Sequence, residues 1–148
     1  MNPETDKSKK LKTSISLLND KLHFEGSVSG TQPVHIDYTP PLGDNLGYTS
    51  LELLLLSLSS CLGSSALTFL RRMNKTIHDF RIESTGMRKQ EHPTGFSSIE
   101  MKLIVKSPDL QKADLDKVVK LSEETYCPVW SMIKGNVDVS ILYEISRN

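Results

Sequence analysis

Short alternating segments open the chain. Residues 13–18, 22–28 and 33–38 alternate apolar and polar side chains, and turn-forming residues separate them. Alternation with a period of two is typical of half-buried β-strands. We therefore predict a three-stranded antiparallel meander, followed by a loop over residues 39–48 that contains two prolines and two glycines.

A long segment with helical periodicity follows, over about residues 50–73. Thr49 and Glu52 match a capping box at its start. Residues 51–70 have the length of a membrane span but carry many polar side chains, so we predict the buried helix of a soluble protein and no membrane association. The apolar side chains occupy one broad side of this helix, and a stripe of small polar ones occupies the other: Leu55, Leu56, Leu58, Leu62, Ala66, Leu67, Phe69, Leu70 and Met73 against Ser57, Cys61, Ser64 and Thr68. A helix that can pack almost all round is normally central in its fold.

The second half of the chain returns to strand-like patterns, interrupted by helical ones. In chain order we predict strands over 77–88 and 96–105, a helix from Ser107 to about Thr125, a short helix over 129–133 and a last strand over 137–145. Strands flanking helices in this order predict an α+β fold with a mostly antiparallel sheet.

Composition and charge narrow the class of protein. The chain has 148 residues, with 18 lysines and arginines against 18 acidic residues, and this balance argues against a nucleic-acid binder. Residues 1–12 contain no apolar stretch of the kind a signal peptide needs, so we expect a flexible tail and a cytoplasmic location. The length of the chain suits a single domain, which we place over residues 13–148.

Two cysteines are the candidate reactive groups, and they are too few for a disulfide scaffold or a four-cysteine zinc site. Cys61 is either a small buried hydrophobic residue or a nucleophile in a hydroxyl-lined concavity. Cys127 precedes Pro128, which suits the first position of a helix, so we predict that Cys127 is an N-cap. Backbone N–H groups at that position would lower the pKa of the thiol, although a purely structural role for Cys127 is the alternative.

Two blocks of sequence together resemble the OsmC/Ohr superfamily, and the OsmC-like branch in particular. They are ELLLLSLSSC, over residues 52–61, and LSEETYCPVWSMIKGNVDVSILYEI, over residues 121–145. The resemblance extends from about residue 12 to 145. It implies an OsmC-like fold with mostly antiparallel sheets around a long central helix, and an intertwined homodimer with its site at the interface.

The same resemblance implies thiol-dependent reduction of organic hydroperoxides, without a cofactor or metal. Cys61 matches the attacking cysteine and Cys127 the resolving cysteine. An external dithiol would then reduce the disulfide between them.

One departure from the family pattern concerns the activating arginine. Active members supply an arginine from the region before the long helix, whereas residues 1–70 here contain none. Glu52 fits the acidic position of the branch, but we assign it first to the capping box. His35, Tyr48 and Tyr126 are weaker supporting candidates. We therefore expect weak peroxidase activity, and the alternatives are a non-catalytic dimer that binds a small apolar ligand or a thiol redox sensor.

Overall fold

The structure is a computed structural model that describes residues 7–148. Residues 1–6, half of the predicted tail, lie outside the described part. Residues 7–12 are exposed and belong to no helix or strand. The chain divides into two compact units between Leu53 and Leu54, and each is described by itself. One domain over residues 13–148 remains a prediction.

The first unit contains the predicted meander. Strands β1 (Ser14–Leu17), β2 (Phe24–Ser27) and β3 (Val34–Ile36) pair antiparallel in the order β1-β2-β3. All four residues of β1 are exposed in the single chain. The alternating pattern therefore predicted the strands correctly, although one of them has no covered face within the chain.

The loop after β3 is organised by a buried carboxylate. Asp37 is only 2% exposed and accepts hydrogen bonds from the backbone N–H groups of Tyr38, Asp44 and Leu46 at 2.7, 3.1 and 3.0 Å. Burial, the largest single influence, opposes the charged form of Asp37, but the three N–H donors together outweigh it and lower the pKa of this carboxyl. A side chain at Gly43 would collide with this carboxylate and with the Tyr38 carbonyl, so the turn requires glycine there.

Helix α1 (Ser50–Arg72) begins in the first unit and continues into the second. The Thr49 N–H donates to the Glu52 carboxylate at 2.9 Å, and the Glu52 N–H donates to the Thr49 hydroxyl at 3.2 Å, which confirms the capping box. Asn74 ends the element in the left-handed conformation, with φ of 59°.

The buried face of α1 in the second unit is narrower than predicted. Its fully buried apolar side chains are Leu58, Leu62, Ala66 and Leu70. Leu56, expected on the buried side, is 50% exposed in the single chain. By length and composition alone α1 could cross a membrane, a criterion that core helices also meet. Its packing against the second sheet agrees with the core helix of a small soluble domain.

The second unit has a mixed sheet. Strands β4 (Asp79–Arg88), β5 (Phe96–Lys106) and β6 (Asp138–Ser146) lie in the order β4-β5-β6, with β4–β5 antiparallel and β5–β6 parallel. Across the described chain, three of the four strand pairings are therefore antiparallel, as the predicted α+β fold requires. A parallel pair needs a long crossover. The crossover consists of α2 (Lys112–Leu121), a π-helical segment (Ser122–Tyr126) and α3 (Pro128–Ile133).

The start of α2 corrects the sequence prediction, which placed it at Ser107. The helix begins at Lys112, and the Gln111 N–H donates to the Asp114 carboxylate at 2.8 Å. Asp109 instead accepts the Thr76 N–H and the Ser107 hydroxyl, both at 3.0 Å. Because these bonds fix a turn between β5 and α2, the residues around Asp109 cannot form the first helical turn.

Candidate functional site

Cys61 lies at the start of the fourth turn of α1, within the second unit. Its thiol is free and the residue is half-buried, between the fully buried Leu62 and the exposed Ser60 and Ser64. Two serine hydroxyls along this part of α1 bond back to helix carbonyls, Ser60 to Ser57 at 3.1 Å and Ser64 to Ser60 at 2.7 Å. The predicted hydroxyl-lined stripe therefore flanks a partly accessible sulfur.

Cys127 is the N-cap of α3, as its position before Pro128 predicted. The residue is 2% exposed, its backbone is extended, and its thiol is free. The Trp130 N–H donates to the Cys127 sulfur at 3.4 Å, so the sulfur serves as the cap acceptor. Proline at the first helical position loses no hydrogen bond there, and this explains why the helix begins at this point.

The Cys61 thiol affects the chemistry of Cys127. Burial, and then hydrogen bonding with Cys61, raises the pKa of Cys127 to about 11. The N–H groups of Trp130 and Val129 act in the opposite direction but are weaker. The prediction that the N-cap position lowers this pKa was therefore wrong in its net direction, because burial outweighs the helix N-terminus. Cys127 is consequently a protonated thiol at neutral pH.

Tyr126, the residue before Cys127, packs against an aromatic ring of α1. The Tyr126 ring lies 4.8 Å from the Phe69 ring of α1, at an angle of 55°. The guanidinium of Arg72 lies 5.5 Å from the centroid of the same Phe69 ring. Tyr126, a predicted supporting residue, thus lies beside Cys127 in sequence and packs on the helix that carries Cys61.

Four of the five arginines are engaged by groups other than the thiols. Arg72 stacks on Phe69, and the others bond to a carboxylate, to a threonine and to backbone carbonyls: Arg81 with Glu83 at 3.1 Å, Arg88 with Thr94, and Arg147 with the Leu110 carbonyl at 2.6 Å. These contacts occupy four of the arginines that could otherwise replace the one missing before α1.

The other predicted candidates belong to the first unit. Glu52 is held by the Thr49 backbone N–H and hydroxyl, which lower its pKa, so the capping assignment is confirmed. His35 on β3 has its Nδ1 2.9 Å from Nε2 of His23, and the Tyr48 N–H donates to the His35 carbonyl at 3.0 Å. Among residues 7–148, no group of three or more histidine, cysteine or acidic side chains is placed to hold a metal.

Two contacts escaped the sequence prediction. The histidine pair follows from the β2–β3 register, since Glu25 lies opposite His35 and the neighbouring positions then bring His23 close. The second is a hydrogen bond between the hydroxyls of Ser65 and Ser122, at 2.5 Å. No local signal identifies it, because the two serines are far apart in sequence and serine is common on helices.

The fold and the sequence of this chain place it in a class of protein with known members. A family model described as OsmC-like protein matches residues 43–142, so the chain belongs to the OsmC-like family. Protein YhfA of Escherichia coli strain K12 is 28% identical over 95 residues, which cover 64% of this chain and 71% of YhfA.

Solved structures confirm the predicted fold. A hypothetical protein from Aquifex aeolicus VF5 superposes with a TM-score of 0.83 and 26% identity, over 95% of this chain and 98% of that one. An organic hydroperoxide resistance protein OsmC from Legionella pneumophila superposes with a TM-score of 0.71 over 94% of this chain and 99% of its own. At 16% identity, that second likeness concerns the fold alone.

Proposed function

We propose that this protein reduces organic hydroperoxides, with Cys61 as the attacking cysteine and Cys127 as the resolving cysteine. Family membership supports a role in peroxide resistance or thiol redox chemistry. The observation that carries the finer proposal is that two free thiols, one half-buried and the other buried, lie near enough for Cys61 to raise the pKa of Cys127.

Each thiol suits a different step. The Cys61 thiolate attacks one peroxide oxygen, the O–O bond breaks, and the alcohol leaves while Cys61 becomes a sulfenic acid. The Cys127 thiol then displaces the sulfenic oxygen, which leaves as water, and the two sulfurs form a disulfide. An external dithiol reduces that disulfide by exchange and restores both thiols. Because only Cys61 is partly exposed, the substrate meets it first.

The rate should be modest, because a cation beside the attacking sulfur is the usual means of stabilising a thiolate. Arg72, Arg81, Arg88 and Arg147 are engaged elsewhere. A charge-assisted contact missing from the transition state costs at least about tenfold in rate, or about 1.4 kcal/mol.

A homodimer belongs to the same proposal. Within the single chain, only 28% of the most apolar 18-residue stretch of α1 is buried, and Leu56 on that helix is half exposed. Large apolar side chains of the first unit are more than half exposed as well: Leu11, Ile15, Leu17, Leu42 and Leu46. A second copy covering such surfaces would bury roughly 2,000 Å² or more, as obligate dimers do. Light scattering at micromolar concentration should show a dimer, and a folded monomer there would contradict the proposal.

The need for a thiol reductant makes the cytoplasm the proposed location.

The test of the chemistry compares three proteins treated with one equivalent of cumene hydroperoxide. Wild type should yield an intramolecular Cys61–Cys127 disulfide by mass spectrometry. Cys127→Ser should accumulate a sulfenic acid at Cys61 that dimedone traps, and Cys61→Ser should consume no peroxide. Two free thiols in the wild type after this treatment would contradict the proposal. That result would favour the alternative function, binding of a small apolar ligand.

A further inference from the structure

We propose that Ser65 and Ser122 form a positioning pair that holds the Cys127 segment against α1 and so favours the Cys61–Cys127 disulfide. This inference rests on the roles proposed above for the two cysteines. Neither serine touches the reacting atoms, and both act through the backbone of the cysteines.

On the α1 side, the pair begins one helical turn after Cys61. The Ser65 hydroxyl oxygen lies 3.3 Å from the Cys61 carbonyl oxygen and 3.1 Å from that of Leu62. It also lies 2.5 Å from the Ser122 hydroxyl oxygen, on the other side of the contact. Ser65 is therefore anchored to the backbone of the attacking cysteine while it reaches across to the crossover.

On the crossover side, Ser122 is fully buried and is the first residue of the π-helical segment. Its hydroxyl lies 2.8 Å from the Val118 carbonyl, and its own carbonyl accepts the Cys127 N–H at 2.8 Å. The Cys127 sulfur in turn accepts the Trp130 N–H. The two hydroxyls thus connect the α1 backbone near Cys61 to Ser122, whose backbone carbonyl holds the Cys127 N–H.

The number of hydroxyl protons limits how Ser65 and Ser122 can bond. Each hydroxyl has one proton to donate. Two oxygens 2.5 Å apart need one of these protons between them, so only one other carbonyl contact can receive a proton at a time. Losing either hydroxyl therefore removes the bond between the two elements, even though the remaining serine still has a helix carbonyl to bond to.

The π-helical segment explains why such an anchor matters. π-Helical turns are rare and occur frequently at functional sites. Here the wide turn sets the place of Cys127, since its N–H bonds five residues back to Ser122. With Ser122 fixed to α1, the Cys127 segment is held beside the helix that carries Cys61. Positioning one reacting group in advance raises its effective concentration at the other. Without the anchor, the reduced protein can separate its thiols, and the disulfide becomes less favourable.

The chain offers a matched control. Ser59 and Ser84 also place their hydroxyl oxygens 2.5 Å apart, and this pair joins α1 to β4 instead of to the crossover. Ser59→Ala therefore removes the same chemistry from the same helix without loosening the Cys127 segment.

The experiment equilibrates each protein with reduced and oxidised glutathione. In this exchange the protein dithiol gives two protons and two electrons to oxidised glutathione, which becomes two molecules of reduced glutathione. Ser65→Ala and Ser122→Ala should each lower the equilibrium constant for the protein disulfide about tenfold, which is about 1.4 kcal/mol. The double variant should lose little more than either single variant, because they remove the same bond. Ser59→Ala should change the constant less than about twofold, and Ser65→Thr, which keeps the hydroxyl, should restore it.

A second measurement uses a stoichiometric dose of cumene hydroperoxide. Loss of the pair should leave oxidation of Cys61 unchanged and slow the later disulfide step, so that dimedone traps more sulfenic acid. An unchanged or increased equilibrium constant in Ser65→Ala would overturn the positioning role, and so would an equal loss in Ser59→Ala. Since Ser65 is only half-buried, Ser65→Ala keeps the test available if Ser122→Ala does not fold. The glutathione equilibrium does not involve peroxide. If the protein forms no disulfide with peroxide, but the serine variants lower the glutathione equilibrium constant as expected, only the proposed function is refuted.

Discussion

Replacing Cys127 by alanine should change how the stability of the protein depends on pH. The pKa of Cys127 is raised in the folded state from 9.0 to about 11, chiefly by burial. A raised pKa means that the unfolded chain releases this proton at lower pH than the folded protein does. The contribution of the protonated thiol is therefore fully present below about pH 9 and is lost as the pH rises through about 11.

The magnitude follows from the two pKa values. At pH 10 the unfolded chain gains about a factor of ten over the folded state from ionising this thiol, or about 1 kcal/mol. The whole shift corresponds to about 3 kcal/mol, reached above about pH 11. Other groups titrate in this range, but they are common to wild type and Cys127→Ala and cancel in the difference.

The assay is urea unfolding of both proteins at pH 7 and pH 10, with a reductant present, followed by circular dichroism. The free energy of unfolding of wild type should fall by about 1 kcal/mol more than that of Cys127→Ala between the two pH values, with similar dependence on urea. Repeating the comparison in a Cys61→Ser background should give a smaller change of the same sign, since burial remains and the neighbouring thiol does not. An identical pH dependence in the two proteins would refute the assignment of Cys127 as a buried, protonated thiol.

Three further substitutions test the packing at two glycines and the cap of α1, by urea unfolding at neutral pH. Gly86→Ala should destabilise the protein by about 1–3 kcal/mol, because the added methyl group would overlap the buried Phe96 ring; an unchanged midpoint would contradict this packing. Gly63→Ala should stabilise it by about 0.5–1 kcal/mol, since its methyl group meets its neighbours at 3.5 Å and alanine is the better helix former; a loss of stability would mean that this face of α1 has less room than described. Thr49→Ala should cost about 1 kcal/mol through loss of the helix cap, with Thr49→Ser as the control that keeps the hydroxyl.

Features encoded by neighbouring residues were predictable from the sequence. The Thr49–Glu52 box and the helical period placed α1 within a residue or two, and Pro128 identified Cys127 as an N-cap. These signals work because a helix end depends on residues three or four positions apart, whose geometry is fixed by the helix itself.

Features set by tertiary contacts were not predictable in the same way. The Ser107 start of α2 was wrong because Asp109 bonds to Thr76, which precedes β4 and lies 33 residues earlier in the chain. The direction of the Cys127 pKa shift was wrong because local N–H groups are visible in the sequence, whereas the degree of burial is not. Hydrophobic periodicity likewise predicts that a segment is a strand but not whether it pairs parallel or antiparallel with its neighbour.

The parallel pairing of β5 with β6 has a consequence for the order in which the protein folds. Ser98 pairs with Asp138, roughly forty positions further along the chain, whereas the β4–β5 hairpin joins Arg88 to Phe96. Chain closure over the longer distance carries the larger entropy loss, and such non-local pairings slow folding. The hairpin should therefore form first and β6 join late. Cys127 lies within the crossover that this late step closes. During refolding, the two sulfurs should therefore become able to cross-link only when β6 joins the sheet, so the time of cross-linking reports completion of the sheet.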